Sequence, residues 1–516
     1  MTGPRALRLH PEDAVAVAVG PIEAGTRVRV AGAEMTVSEP IPAGHKVALR
    51  SVARGEPVVK YGDPIGRATA DIEPGQHVHT HNLVTSLEPG GGADRPTRQE
   101  RRGGPVPADA GEPAGPDAIF DGYRRSDGRV GTRNEIWIIN TVGCVNTAAE
   151  RIARRASERA GRAVEGVHAF SHPYGCSQLG DDLRNTQRVL AGLMRHPNAG
   201  GVLVLGLGCE SNRLDRMLAL AEGGEENGPR LDRDRIRAFN TQDVLDEEDA
   251  GLEAVAELAR RMAEDRREPC PVSDLVLGHK CGGSDGFSGI SANPLVGRIA
   301  DRATAAGGRV ILTEVPEMFG AEHLLMERAA TPAVEEAVAA MIDGFKGYFT
   351  RHGQPIHENP SPGNLEGGIT TLEEKSLGAV QKGGRAPVTG VLRYGEPLGP
   401  GPGGLTLLEA PGNDGVSSTA LVASGATLLL FTTGRGTPLG FPAPTLKISS
   451  NDDIAERKPH WIDFSAGPLL TGAAEPADLA DALWRLVLDV ASGRRRTRNE
   501  ERGYREIAIW KEGVTL

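Results

Sequence analysis

The chain has few aromatic residues, few cysteines and few lysines, and no long apolar run. Aromatics make up 4% of its 516 residues, too little to stack single-stranded nucleic acid. The net charge of −11 also argues against a phosphate-backbone binder, so no nucleic-acid partner is expected. The five cysteines are odd in number and contain no CxxC pair, which is not a disulfide framework. The cytoplasm is the expected compartment, and each thiol must then be explained by burial, metal or chemistry. No apolar stretch approaches the roughly 20 residues that span a bilayer, and the opening MTGPRALRLHPEDAV has no signal-peptide core, so no membrane association is expected. Only nine of the 58 basic residues are lysine, which gives weight to any lysine inside a motif.

Backbone punctuation is abundant: 68 Gly and 36 Pro make about a fifth of the chain and require many turns. Residues 12–85 read as short strands with period-two alternation (DAVAVAV, TRVRV, KVAL, PVVKY, HVHTH) and predict a small all-β module over 1–88. Residues 89–117 hold seven Gly and six Pro and almost no large apolar side chain. They cannot offset their ordering entropy by burial, so a flexible linker is expected there. Such a tether would let the module dock on its own chain or on a neighbouring subunit of a homo-oligomer.

From 118 onward, apolar runs alternate with amphipathic helical patterns: EIWIIN (135–140), GVHAF (166–170), GVLVLGLG (201–208), DLVLG (274–278), RVILTE (309–314), then LTLLEAPG and GATLLLFTTG. Helices are predicted near 212–221, 294–306, 320–342 and 476–492. This alternation predicts α/β units with parallel sheets covered on both faces, divided into a domain at 118–270 and another at 271–516.

The unusual residues follow these predicted strands: TVGCVN (141–146), SHPYGCSQLGDD (171–182), GLGCESN (206–212), GHKCGGSDGFSG (278–289), TEVPEMFG (313–320) and TTGRGTP (432–438). In open parallel sheets ligands bind outside the carboxyl ends of strands, where loops and helix starts converge. Cys144, Cys176, Cys209 and Cys281 lie in such loops and would suit an iron or an iron–sulfur cluster, or would simply fill space. Cys270 lies outside them and is assigned to packing. As a strand, His77-Val78-His79-Thr80-His81 would project three imidazoles from one face, suited to a divalent metal or proton transfer. Lys46 and Lys60 could pair with a carboxylate, act as a base, or sit in solvent. Arg435, between two glycines, is placed to fork onto a carboxylate. His172, Glu210, Asp285, Glu314 and Glu317 are acid–base candidates that could equally be caps or surface charges. GLGCES lacks the third glycine of a dinucleotide fingerprint and is dismissed as one.

Taken together and in order, IPAGHKVAL, VVKYGDPIG, GQHVHTHN, GTRNEIWIINTVGCVN, SHPYGCSQLGDD, CGGSDGFSGISANP, LTEVPEMFGAEHLLM, FTTGRGTP and REIAIWKEGVTL resemble the altronate/galactarate dehydratase family of sugar-acid hydro-lyases. The HVHTHN segment favours its altronate branch. The resemblance implies a SAF-type β domain followed by two Rossmann-like αβα domains. It implies conversion of D-altronate to 2-dehydro-3-deoxy-D-gluconate plus water, with Fe²⁺ or Mn²⁺ as cofactor; the loop cysteines leave an iron–sulfur cluster as the less favoured alternative. On that basis His172 or Lys46 is the expected base, Glu314 a further acid–base group, and Arg435 the carboxylate anchor. His45, Ser284, Asp285, Thr433 and Thr437 are expected to bind substrate, and His79, His81, Cys144, Cys176, Cys209 and Cys281 to hold metal. Rival readings are another aldonate or aldarate such as galactarate, a sulfo-lyase acting on sulfolactate, and a non-catalytic sugar-acid-binding protein.

Overall fold

The computed structural model describes residues 5–87, 118–159, 164–222 and 231–516; the expected linker at 89–117 lies outside them. The N-terminal module is all-β. Ala6–Leu7, Val15–Ala18, Lys46–Ala48 and His77–Val78 form one antiparallel sheet in that order. Pro57–Lys60, Asp63–Ala68 and Leu83–Val84 form a second, and Arg27–Val30 pairs with Ala33–Thr36. Alternation sets the core: Val28 and Val30 are buried while Arg27 and Arg29 face solvent.

The His-rich segment departs from the strand reading. Only His77–Val78 is strand. The chain then turns, because Asn82 Oδ1 accepts from His79 N–H (3.0 Å) while Asn82 and Leu83 N–H donate to the His79 carbonyl (3.0 and 2.9 Å). An Asn side chain that mimics a backbone turn competes with the ladder, so the turn gathers the imidazoles.

Val167–Phe170, Glu135–Asn140, Ala199–Gly206 and Ile236–Asn240 form a parallel sheet in that order. Helices Asn146–Ser157 and Glu247–Arg261 share one apolar cluster with it, and Gly180–Met194 and Leu214–Glu222 another. The second cluster continues into Asp414–Ala423 and the large sheet. That sheet is parallel and seven-stranded, in the order Val388–Leu392, Gly404–Leu408, Arg309–Leu312, Val276–Cys281, Leu428–Thr433, Thr445–Ser449, Phe464–Ser465. Its central strands are buried throughout, as burial on both faces requires. The helix expected over 320–342 is broken into Glu322–Met326 and Pro332–Arg351, because Pro332 opens the second with Thr331 as its cap. No helix among the described residues is long and apolar enough to cross a membrane.

Val276–Cys281 and Leu428–Thr433 are neighbours from which the strand order departs in opposite directions, the topological switch point where such sheets bind ligands. The N-terminal module docks at this edge. Gly368, at φ +98°, packs its Cα against the Gly44 carbonyl so closely that a methyl group would collide with it. Gly368→Ala therefore costs about 2 kcal/mol through strain and collision, read as a lower denaturant midpoint. An unchanged midpoint would contradict this docking.

Candidate active site

Two buried polar clusters and one exposed guanidinium meet along this seam. On the rim, Gly434 and Arg435 N–H both donate to the Gly283 carbonyl (3.1 and 2.9 Å), joining the two switch-point loops. The Arg435 guanidinium donates to the Gly363 carbonyl and to Glu366 Oε2, both at 3.1 Å. The Arg435–Glu366 pair is exposed, so it is worth at most about 1 kcal/mol and exchanges readily for another carboxylate. Asp285 turns its carboxylate into the protein. Its carboxylate is buried and filled by Ser450 Oγ (2.8 Å), Asn451 Nδ2 (2.9 Å) and Ser288 Oγ (2.9 Å), and Gly434 lies directly against it; it braces the Arg435 loop. Thr433 Oγ1 accepts from Gly436 N–H (2.9 Å) and Thr437 Oγ1 from Leu439 N–H (3.2 Å), which closes that loop. Ser284 is buried, and its carbonyl accepts from Asn364 Nδ2 (2.8 Å).

Inward of Glu366 lie the imidazoles. His45 Nε2 is 3.2 Å from the Glu366 carbonyl, and His45 Nδ1 is 3.0 Å from His77 Nε2. The His45 ring is 5.1 Å from that of His77 and 4.8 Å from that of His79, and His81 lies exposed at 5.4 Å from His77. Burial is the main cause that pushes His77 down to about 4 and His79 to about 3, so both are neutral near pH 7. His79 Nδ1 is 2.9 Å from Thr370 Oγ1, which also accepts from Lys46 Nζ (2.7 Å).

Lys46 and Lys60, from the N-terminal module, grip the two oxygens of Glu374 at 2.8 and 2.7 Å, all three buried. Burial would raise Glu374, but the two lysines hold its carboxyl down at about 2. Burial pushes Lys46 down to about 8, with the Lys60 charge adding to it against the pull of Glu374. Lys46, Lys60, Lys280, Lys382 and Lys447 are all buried, five of nine, so solvent is not where this chain keeps its lysines.

Helix Leu372–Ala379 places Lys375 next to Glu374, and Lys375 Nζ reaches Glu317 (2.9 Å) in the second cluster. Cys281, Glu314 and Glu317 offer ligand atoms within 4.8 Å of one another, the one such buried trio among the described residues with the donor atoms to hold a metal ion. Positive charge already sits on it. Lys382 Nζ is 2.8 Å from Cys281 Sγ and 3.1 Å from Glu314, and Lys280 bridges Glu314 and Asp414. Glu314 is held at φ +74°, a conformation that costs a non-glycine residue about 1–2 kcal/mol. Burial, with Glu314 and Glu317 alongside, pushes the Cys281 thiol up to about 12.

Other expectations are corrected. His172 is not a free base: its ring is buried, with Nε2 on the Asn140 carbonyl (2.8 Å) and Nδ1 accepting from Tyr174 N–H (3.2 Å). Glu210 likewise holds its own loop through Thr141 and the Leu207 and Gly208 amides. The four loop cysteines do not form one ligand set with His79 and His81. Cys281 is buried in the large sheet, whereas Cys144, Cys176 and Cys209 are exposed on the second domain because they end strands of a different sheet. Cys270 is buried. Sequence reasoning missed Thr370, Glu366 and Glu374; the scarcity of lysine was the signal that could have led to Glu374.

Three family models match in succession: the altronate/galactarate dehydratase SAF domain at residues 4–86, the D-galactarate dehydratase/altronate hydrolase second domain at 122–265, and the D-galactarate/altronate dehydratase C-terminal domain at 272–515. The chain belongs to the altronate/galactarate dehydratase family of hydro-lyases. It is 46% identical to the altronate dehydratase of Bacillus subtilis and 48% identical to that of Escherichia coli, in each case over 99% of both chains. It is 33% identical to the Escherichia coli galactarate dehydratase (L-threo-forming), over 98% of this chain and 96% of the relative.

Glu374→Gln leaves two buried ammonium groups with one neutral partner. It should cost about 3–5 kcal/mol, measured as a fall in the denaturant midpoint; a loss under about 0.5 kcal/mol would mean the two lysines find other counter-charges.

Proposed function

We propose that the chain dehydrates D-altronate to 2-dehydro-3-deoxy-D-gluconate at the seam between the N-terminal module and the large sheet. The observation that carries this reading is end-to-end identity of 46–48% with altronate dehydratases. The geometry supports it by bringing an exchangeable arginine, neutral imidazoles and a lysine of lowered proton affinity to one switch-point edge. Five free thiols suit the reducing cytoplasm.

Arg435 leaves Glu366 and forks onto the substrate carboxylate. His79 takes the proton next to that carboxylate on Nε2 while its Nδ1–H passes to Thr370 Oγ1, and the Thr370 hydroxyl proton passes to neutral Lys46. The proton therefore ends on Lys46, and His79 remains neutral. The electron pair of the broken C–H bond forms the enolate, which expels the 3-hydroxyl; that group leaves as water once the relay returns the proton. The resulting enol relaxes to the 2-keto acid. The family resemblance implies Fe²⁺ or Mn²⁺. Cys281, Glu314 and Glu317 would hold such a cation by donor type, with the Cys281 thiol giving up its proton and the Lys280, Lys375 and Lys382 ammonium groups giving way at the same atoms. A divalent ion held by these three residues would supply Lewis acidity.

Incubating the protein with Fe²⁺ and D-altronate, galactarate or sulfolactate, and assaying 2-keto acid and sulfite, tests the substrate. Turnover of altronate well above the others is expected. Preference for either of the others changes the substrate, and binding without turnover would leave a non-catalytic receptor. Arg435→Ala should raise KM and lower kcat together, with kcat/KM falling about 10²-fold; unchanged kinetics remove Arg435 from the site. Lys46 must be neutral to receive the proton, so kcat/KM should rise with pH through about 8. Thr370→Val should lower kcat about 10²–10⁴-fold and abolish that limb, while Thr370→Ser retains it; a pH profile unmoved by both variants contradicts the relay.

A further inference from the structure

The seam leaves Cys144, Cys176 and Cys209 unused, and they share one design. Each directly follows a glycine, each lies just beyond the carboxyl end of a strand of the second domain's parallel sheet, and each thiol is exposed. Hydrogen bonds tie the three loops to one another in every pairing. Gly143 N–H donates to the Tyr174 carbonyl (2.8 Å) and Asn146 Nδ2 to the His172 carbonyl (2.9 Å), joining the first loop to the second. Asn212 N–H donates to the Gly175 carbonyl (2.9 Å), joining the third to the second. Thr141 Oγ1 donates to Glu210 (2.5 Å) and Asn212 Nδ2 to the Thr141 carbonyl (2.8 Å), which closes the triangle. Gly175, at φ +100°, lies so close to the Thr141 carbonyl that no side chain would fit. Helices Asn146–Ser157, Gly180–Met194 and Leu214–Glu222 start just after the three cysteines, so their positive ends flank the same edge. His172 and Glu210 thereby acquire a purpose: both are spent on bracing these loops.

We propose that Cys144, Cys176 and Cys209 form a three-thiolate site for an iron–sulfur cluster on the second domain, separate from the seam. Soft thiolates on a rigid, glycine-lined edge select iron–sulfur ligation over hard divalent cations. The helix starts offset the net negative charge of such a cluster. Three protein sulfurs leave one iron open to an exogenous oxygen ligand.

The test is anaerobic reconstitution of the full chain with iron, sulfide and dithiothreitol, followed by iron and acid-labile sulfide analysis and visible absorption. About four irons and four labile sulfides per chain and a broad absorption shoulder are expected. The signal should be lost in the triple variant Cys144→Ser, Cys176→Ser, Cys209→Ser and kept in Cys270→Ser. Alkylation of the unsubstituted protein, mapped by mass spectrometry, should show these three thiols blocked after reconstitution and reactive before it, which needs no variant to fold. Reconstituted protein without labile sulfide, a triple variant that retains it, or thiols equally reactive in both states would overturn the proposal. Altronate turnover with Fe²⁺ alone is scored separately, so either reading can fail without the other.

Discussion

One carboxylate from the C-terminal domain, Glu374, is clamped between two lysines of the N-terminal module in a place water does not reach. Buried ionised groups are tolerable only when they are paired and hydrogen-bonded, so this contact fixes how the small β module sits on the large sheet. It also sets the chemistry. Burial, with the Lys60 charge adding to it, lowers the proton affinity of Lys46 against the pull of Glu374, so Lys46 gives up its proton more easily than Lys60. Docking and proton transfer thus have one physical origin.

The same helix connects this contact to the second buried cluster, since Glu374 faces the N-terminal module while Lys375 reaches Glu317. The seam is therefore layered. An exchangeable Arg435–Glu366 pair forms the rim, imidazoles line the middle, and two buried ion clusters form the floor. The second domain contributes none of these groups. Its glycine–cysteine loops brace one another at a separate edge, which accounts for their exposed thiols where Cys270 and Cys281 are buried.

Much of the fold was legible because buried parallel strands are continuous apolar runs: EIWIIN is strand Glu135–Asn140, and the polar loops after such runs do end strands. The His-rich segment pointed to the right neighbourhood by the wrong geometry, because Asn82 converts an apparent strand into a turn. The helix expected over 320–342 missed Pro332 as a start signal. Glu374 was not legible for a sharper reason. Thr371 caps its helix and Glu374 sits at the position where a capping-box acid belongs, so the letters suggest a local role, while the long-range partners Lys46 and Lys60 appear only when the module docks. Lysine misled in the same way, since its usual place is solvent and only tertiary structure shows five of the nine buried.

The central claim is that a sugar acid is held where the two domains meet. Hydrogen–deuterium exchange of the full chain, with and without an aldonate lacking the leaving 3-hydroxyl, tests this most directly. The account predicts simultaneous protection of residues 44–47 and 77–82 in the β module and of 363–371 and 433–437 in the large domain. Protection confined to the cysteine loops at 141–146, 171–178 and 206–212 would contradict it.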